Sequence, residues 1–292
     1  MSASRTAQYV ALYRALETDE RRRPPLFRDP YALGFLSRGQ ALAVRAARAP
    51  VVRGVLERYS DHRAPGARTS AIARTAYIDD AVRDAMAAGI DQVVILGAGF
   101  DCRAHRMPEL AAVRVFEVDR RETQEVKRAH VPGTGAGTGP GAGGVRYVAV
   151  DFLRDDVGAS LAAAGWDAGR RSLFLWEGVT NYLTEDAVRH TLDWIGTAAA
   201  GSRVVFTYIH AGVLDGSVAF DGGAQLVANV RELGEPWTFG LDPGAVAAFV
   251  ARSGLRLCED LGADDYRKRY LGAVKPGYRF YRIALAEVPV AS

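Results

Sequence analysis

The sequence of 292 residues has few cysteines and lysines and no long apolar run. Its two cysteines, Cys102 and Cys258, provide neither a disulfide framework nor the ligand spacing of a zinc site. No apolar stretch approaches the roughly 20 residues that span a bilayer, and the first ten residues lack the apolar segment of a signal peptide. These absences predict a cytoplasmic protein that binds neither a metal nor a membrane.

Positive charge is spread along the chain and not gathered in one place. The chain has 37 basic and 34 acidic residues, and all but three of the basic residues are arginine. A nucleic-acid footprint would concentrate basic side chains on one face, whereas only the runs 21–23 and 267–269 are locally basic here. We therefore expect no nucleic-acid partner. The length is typical of one large domain with an appended cap. We expect the protein to be a monomer or a homodimer.

Apolar spacing divides the chain into a helical beginning and an alternation of strands and helices. Residues 1–66 lack strand signals and predict a helical N-terminal cap over the active site, with a helix starting at Asp29-Pro30. Another helix starts near Thr69. Residues 67–292 alternate strands with helices, which predicts an α/β domain with a doubly wound, mostly parallel, seven-stranded sheet and an antiparallel last strand. The strands are expected at 92–96, 113–118, 145–150, 172–176, 203–208, 255–261 and 278–288.

Two segments interrupt this alternation. Residues 132–144 read PGTGAGTGPGAGG and carry no apolar side chain larger than alanine, so we predict a flexible glycine-rich loop. Residues 211–240 form a long insert after the fifth strand and contain Phe220 and Trp237. Inserts of this length are usually functional or disordered, and the aromatic residues favour a cap over a substrate pocket.

A glycine turn follows the first strand of the predicted sheet. The run 92–96 leads directly into Gly97-Ala98-Gly99. Glycine allows the backbone to turn tightly and to approach a ligand closely. This signal is weak alone, because the third glycine of the dinucleotide fingerprint is replaced by Cys102.

Acidic residues follow the next three strands. Asp119 stands where a carboxylate can accept hydrogen bonds from both ribose hydroxyls, and Asp151 with Phe152 suits an adenine amine and ring. Glu177 ends the fourth strand. Each acid alone could be an ordinary solvated residue. Together, after the glycine turn, they predict an adenosine-containing cofactor at the carboxyl edge of the sheet.

The order of these motifs resembles the leucine carboxyl methyltransferase family of S-adenosylmethionine-dependent enzymes, particularly its bacterial branch. The resemblance covers nearly the whole chain. It rests on the stretches 4–7, 14–17, 26–32, 73–80, 97–99, 116–119 and 176–183. It implies the Rossmann-like fold of class I methyltransferases and S-adenosylmethionine as the cofactor, with S-adenosylhomocysteine as its product and no metal.

The resemblance also implies which residues hold the cofactor. The implied assignments are the methionine carboxylate for Arg74, the methionine and ribose portion for Gly97, Ala98 and Gly99, the ribose hydroxyls for Asp119, the adenine for Asp151 and Phe152, and the region near the amine for Glu177. On the residues alone, Arg74 could equally be an exposed helix arginine paired with Asp80. Cys102 and His105 depart from the threonine and tyrosine that are usual in the family.

Methyl transfer needs an aligned acceptor, and a base only where the acceptor is not already ionised. The candidate catalytic residues are His210, Tyr208 and Glu17. The candidate substrate-binding residues are Tyr9, Tyr13, Tyr31, Tyr182, Phe220 and Trp237. So many aromatic side chains suit a small natural product of secondary metabolism better than a protein tail.

The sequence leaves the reaction open at one level. Methylation of a carboxylate or hydroxyl oxygen is the first choice, and C- or N-methylation of an indole or another aromatic alkaloid-type substrate is the alternative. Two functions of another class also remain: a non-catalytic module that binds an adenosine cofactor, and a nicotinamide-dependent oxidoreductase. The missing third glycine disfavours the oxidoreductase.

Overall fold

The computed structural model describes residues 5–131, 144–272 and 276–290. The predicted glycine-rich loop, 132–144, lies outside these residues except for its last glycine. Seven strands are present in the described ranges: β1 Gln92–Leu96, β2 Arg114–Asp119, β3 Val145–Ala149, β4 Ser172–Trp176, β5 Arg203–Ile209, β6 Arg256–Gly262 and β7 Tyr281–Glu287.

The strands form one sheet in the order β3-β2-β1-β4-β5-β7-β6. The first five strands run parallel, and β7 lies antiparallel between β5 and β6. Successive side chains of a strand point to opposite faces, so Val94 and Leu96 pack in one apolar cluster and Val93 and Ile95 in another. The predicted doubly wound, mostly parallel sheet with an antiparallel last strand is confirmed.

From residue 5 onward, four α-helices precede the sheet: α1 Arg5–Thr18, α2 Arg38–Ala46, α3 Pro50–Arg63 and α4 Ala67–Ala87. The first half of α4 is buried on nearly all sides, because α1 packs on one side of it and the sheet on the other. The first three helices correspond to the expected cap, and the division of the chain at residue 66 stays a prediction.

The expected helix start at Asp29-Pro30 is wrong. Asp29 accepts hydrogen bonds from two backbone N–H groups that follow it, but only a single 3-10 turn, Ala32–Phe35, forms there. Its other carboxylate oxygen is 2.9 Å from the Arg14 guanidinium, so this side chain anchors α1 as well as the turn. Helix α2 begins later, at a capping box made by Ser37 and Gln40.

The remaining helices flank the sheet: α5 Arg103–Arg106, α6 Arg121–Arg128, α7 Val157–Ala163, α8 Glu185–Gly196, α9 Gly212–Asp215, α10 Gly223–Glu232, α11 Val246–Ala251 and α12 Ala263–Leu271. Thr184 caps α8 as its sequence suggests, since its hydroxyl accepts from the Ala187 N–H. The insert 211–240 carries α9 and α10. Within the described ranges, no helix combines the length and apolarity needed to cross a membrane.

Candidate active site

A cavity of about 150 Å³ opens where β1 and β4 end. Its walls come from α1, α4, the turn after β1, the segment after β4 and the residues around the start of β7. Seven of the residues predicted from the sequence line it: Arg74, Gly97, Ala98, Gly99, Glu177, Tyr182 and Trp237. Residues that are far apart in the sequence therefore meet at the carboxyl edge of the sheet, where α/β proteins usually bind their ligands.

The glycine turn forms the floor of the cavity. Gly97 and Gly99 have φ angles of 63° and 44°, in the left-handed region that side chains disfavour. A Cβ atom on Gly97 would lie 2.3 Å from a methyl carbon of Val179, so no larger residue fits there without displacement. The Ala98 N–H donates to the Val118 carbonyl oxygen at 2.9 Å, which joins the turn to the end of β2.

Asp119 supports this floor from the end of β2. One carboxylate oxygen accepts the Gly99 N–H at 2.6 Å, and the other accepts the Arg120 N–H at 2.7 Å. Burial raises the pKa of Asp119 above its ordinary value, and these two N–H groups offset only part of that effect. The carboxylate thus lies beside the glycine turn, but Asp119 is not among the residues that line the cavity.

Arg74 and Glu177 form an ion pair on the cavity wall. The Arg74 Nε donates to the Glu177 Oε1 at 2.8 Å, and the guanidinium lies 4.5 Å from the ring centre of Tyr281. The alternative partner suggested by the sequence, Asp80, instead accepts from Tyr270 and Arg83. Arg74 is therefore a buried residue of the site, not an exposed helix arginine.

A second arginine, Arg103, holds Glu177 from the other side, and the sequence analysis did not identify it. Its Nη1 donates to the Glu177 Oε2 at 2.9 Å and also to the Asp101 carboxylate, while its Nε donates to Asp79 at 2.8 Å. Burial alone would raise the pKa of Glu177, but the charges of Arg103 and Arg74 outweigh it and hold this pKa below its usual value.

The predicted adenine contacts lie further along the same edge. The Val150 N–H donates to the Asp119 carbonyl oxygen at 3.0 Å, which places the end of β3 beside the end of β2. Asp151 is the second residue after β3. The Asp151 carboxylate accepts the Leu153 N–H at 3.0 Å. The Phe152 ring packs on Trp176 with a centroid distance of 6.5 Å. Neither Asp151 nor Phe152 lines the cavity described above.

The three candidate catalytic side chains lie elsewhere, and none of them lines this cavity. The side chain of Tyr208 is buried, and its hydroxyl donates to Asp260 of β6 at 2.9 Å and accepts from Arg282 of β7. The carboxylate of Glu17 binds Arg23 at 2.7 Å and the Leu26 N–H, and so fixes the turn after α1. His210 accepts the Gly212 N–H at 3.0 Å. The catalytic roles of Tyr208, Glu17 and His210 stay predictions, because the structure shows only that their side chains do not line this cavity.

Of the six candidate substrate-binding aromatics, Tyr182 and Trp237 line the cavity and the other four do not. Tyr9 is half exposed, the Tyr13 hydroxyl accepts from Ser60, Tyr31 packs edge-on to His105, and Phe220 packs against His210 and Phe280. The structure adds Tyr278, Tyr281 and Asn181 to the walls. The Asn181 Oδ1 is buried without a hydrogen-bond partner among the described residues.

Residues 7–196 match the family model of leucine carboxyl methyltransferase. A protein of Frankia alni is 36% identical over 245 residues, which cover 81% of this chain and 80% of the relative. A protein of Streptomyces coelicolor is 38% identical over 216 residues, covering 72% and 70%. Both are named as S-adenosyl-L-methionine-dependent methyltransferases. The chain belongs to the leucine carboxyl methyltransferase family. It is an S-adenosylmethionine-dependent methyltransferase, and the resemblance seen in the sequence is confirmed.

Two solved structures share the fold of this methyltransferase. A DUF574 family protein of Streptomyces avermitilis has a TM-score of 0.58 at 17% identity, covering 95% of this chain and 97% of its own. A methyltransferase of Thermobifida fusca has a TM-score of 0.59 at 17% identity, covering 96% and 94%. Both alignments span the helices before the sheet as well as the sheet itself. In the part of the chain that the structure describes, no group of His, Cys, Asp and Glu residues could hold a metal ion.

Proposed function

We propose that this methyltransferase transfers the methyl group of S-adenosylmethionine to a small-molecule acceptor held in the cavity, with oxygen methylation of a carboxylate or hydroxyl as the first choice. The observation that carries the proposal is the Arg74–Glu177 pair beside the glycine turn, at 2.8 Å. The methionine end of the cofactor carries one carboxylate and one ammonium group. A neighbouring cation and anion on one wall complement both groups.

The floor of the cavity fits the nucleoside end of the cofactor. Gly99 leaves open space where a ribose would approach, since a Cβ atom there would meet only the Gly97 carbonyl oxygen at 3.8 Å, and the Asp119 carboxylate lies beside Gly99. We assign the ribose hydroxyls to Asp119 and the adenine to Asp151 and Phe152, which follow the neighbouring strand. The bound cofactor supplies a methyl group on a positively charged sulfur, and the protein aligns the acceptor and excludes water.

The acceptor end of the cavity is aromatic. Tyr182, Trp237 and Tyr281 form the wall, and the buried Asn181 Oδ1 is an unsatisfied acceptor for an N–H or O–H group. A pocket with aromatic walls and few convergent polar groups is typical of small-molecule sites. We therefore propose a natural-product acceptor and a role in cytoplasmic secondary metabolism.

The protonation states of the wall favour a carboxylate among the oxygen acceptors. No histidine, cysteine or lysine is among the described residues that line the cavity. The charge of Arg103 outweighs burial and holds the pKa of Asp101 well below its usual range, as it helps to do for Glu177, so both are weak bases. Burial raises the pKa of Tyr182, which stays a neutral donor. An acceptor that is already ionised needs no base here.

Two covering elements meet near the mouth of the cavity. Thr6 of α1 lines the cavity, and its hydroxyl donates to the Glu235 carboxylate of the insert 211–240 at 2.6 Å. Trp237 lies two residues further along the insert and lines the cavity. We propose that α1–α3 and this insert together cover the bound acceptor and keep water from the transfer.

Two measurements test the proposal. Calorimetry with S-adenosylhomocysteine should detect binding, and its absence would refute the cofactor site. Next, methyl-labelled S-adenosylmethionine is incubated with a panel of aromatic carboxylic acids, phenols and indoles. Label that alkali releases as methanol marks a carboxyl ester, whereas alkali-stable label marks an ether or an N- or C-methyl product. Binding without any transfer, to this panel or to the metabolite extract of the host, would favour a cofactor sensor over an enzyme.

A further inference from the structure

A second cavity, of about 190 Å³, shares one lining residue with the first cavity. Its apolar lining comes from Ala64, Pro65, Leu226 and Phe280, and its polar lining from exposed residues that include Arg63 and Asp221. Tyr278 lines both cavities. The side chain of Tyr278 therefore stands between the candidate acceptor site and a further space of similar size.

The backbone of Tyr278 is strained. Its φ angle of 60° makes it the sole non-glycine residue with positive φ within the described ranges. Such a conformation is unfavourable for a residue with a side chain and persists only where the surroundings enforce it. The ring packs against Phe280 at 4.8 Å and against Tyr281 at 5.5 Å between centroids. This neighbourhood holds a large ring where a glycine would fit the backbone better.

A buried arginine keeps this wall in place. The Nη2 of Arg267 in α12 donates to the Gly277 carbonyl oxygen at 2.7 Å and to the Gly66 carbonyl oxygen at 3.3 Å. Both glycines have positive φ, and a Cβ atom on Gly277 would lie 2.4 Å from the Pro65 carbonyl oxygen. Arg267 therefore joins the turn before α4 to the turn before Tyr278 and fixes the backbone from which the ring projects.

We infer that Tyr278 is a specificity-determining residue, whose ring ends the acceptor cavity and limits the enzyme to compact acceptors. The inference rests on the proposed function. The first cavity, at about 150 Å³, must hold the methionine end of the cofactor as well as the acceptor, so little length remains for the acceptor. The second cavity becomes an extension of the first when the ring is absent, and its apolar lining of Pro65, Leu226 and Phe280 would then take an alkyl or aryl tail.

The test uses probes that need no known acceptor. They are analogues of S-adenosylmethionine in which nitrogen replaces the sulfonium and carries an n-alkyl chain of increasing length in place of the methyl group. Calorimetry measures the affinity of each analogue relative to S-adenosylhomocysteine in the same variant, so that any change in cofactor binding cancels. In the wild type we expect relative affinity to rise over the first carbons and then to fall at least about tenfold, which is about 1.4 kcal/mol, once the chain meets the ring.

Tyr278→Gly should move this break to longer chains, and glycine suits the φ angle of 60°. Tyr278→Asn is the second variant, because asparagine also tolerates positive φ and removes the ring. Tyr278→Phe keeps the ring and should keep the wild-type break. In the double variant Tyr278→Gly/Leu226→Trp, the new indole fills the second cavity and should restore the short limit.

The outcomes separate the two ideas. If S-adenosylhomocysteine binds but Tyr278→Gly and Tyr278→Asn leave the chain-length break where it was, the specificity role is overturned. The same follows if Tyr278→Phe shifts the break as far as Tyr278→Gly does. If neither S-adenosylhomocysteine nor any analogue binds to the wild type, the proposed function itself has failed.

Discussion

Replacing Glu177 with glutamine removes one negative charge from between two buried arginines. In the wild type its two carboxylate oxygens lie 2.8 Å from Arg74 Nε and 2.9 Å from Arg103 Nη1. Arg103 keeps Asp79 and Asp101 as partners after the change, whereas the described contacts leave Arg74 with the face of Tyr281 and no other carboxylate. The substitution thus leaves one buried guanidinium without a counter-ion.

The expected loss follows from these contacts. Removing one partner of a buried ion pair costs about 3–5 kcal/mol, and a glutamine oxygen can still accept one hydrogen bond. We expect Glu177→Gln to lower the free energy of unfolding by about 3 kcal/mol. If Glu177 also holds the cofactor ammonium, affinity for S-adenosylhomocysteine should fall by roughly 10–100-fold, the equivalent of one charged hydrogen bond.

Urea unfolding at neutral pH, followed by tryptophan fluorescence, measures the first effect. Glu185→Gln is the matched control, because Glu185 is 64% exposed and 4.0 Å from Arg189, so its loss should cost under about 1 kcal/mol. The folded-state pKa of Glu177 is lowered, so the ionised carboxylate stabilises the fold, and this contribution is lost as the pH falls through that pKa. The unfolding free energies of the wild type and of Glu177→Gln, plotted against pH, should therefore converge in acid. A loss for Glu177→Gln no larger than that of the control would refute the reasoning.

Three further results are expected. The affinity of the wild type for S-adenosylhomocysteine should fall as the pH decreases through the raised pKa of Asp119, because this carboxylate then gains a proton. Asp119→Asn should bind weakly at every pH. Parallel affinity–pH profiles of the two proteins, measured by calorimetry, would contradict this prediction. Gly97→Ala should cost at least about 2 kcal/mol in urea unfolding, since its φ is positive and its Cβ has no room, whereas Gly54→Ala, with open space in a helix, should cost nothing. A thiol reagent at pH 8 should label the exposed Cys258 but not Cys102, whose pKa burial raises to about 12; mass spectrometry of the native protein with two labels would show the second thiol to be accessible.

The sheet could be predicted from the sequence because buried parallel strands are written as short runs of branched and aromatic residues. Predicted and observed bounds agree closely for the central strands and drift at the edges. The last strand was expected from 278 but begins at Tyr281, because Tyr278 adopts positive φ before the strand. Residue type alone does not indicate that conformation in a tyrosine.

The site could be predicted only in part, for a physical reason. Residues at strand ends converge by topology, which is why Gly97 and Glu177 could be placed together from the sequence. Arg74 lies within α4 and was assigned only through the family resemblance. Arg103 was missed because two of its three carboxylate partners, Asp79 and Glu177, lie 24 and 74 residues away in the sequence. The hydrogen bond from the Tyr208 hydroxyl to Asp260 was not foreseen for the same reason, since Asp260 lies 52 residues away in the sequence, in the edge strand β6.

Because β7 contributes to the cavity wall, the cavity depends on residues near the C-terminal end of the chain. The β6 strand joins the sheet only through β7, which is inserted between β5 and β6. Tyr281, the first residue of β7, also lines the cavity and stacks on Arg74, more than 200 residues earlier. A chain interrupted before residue 281 would have the glycine turn and the acidic residues at the strand ends. It would lack β7, which joins β6 to the sheet, and it would lack Tyr281 in the cavity wall. The ligand site therefore depends on contacts that join α4 near the start of the chain to β7 near its end.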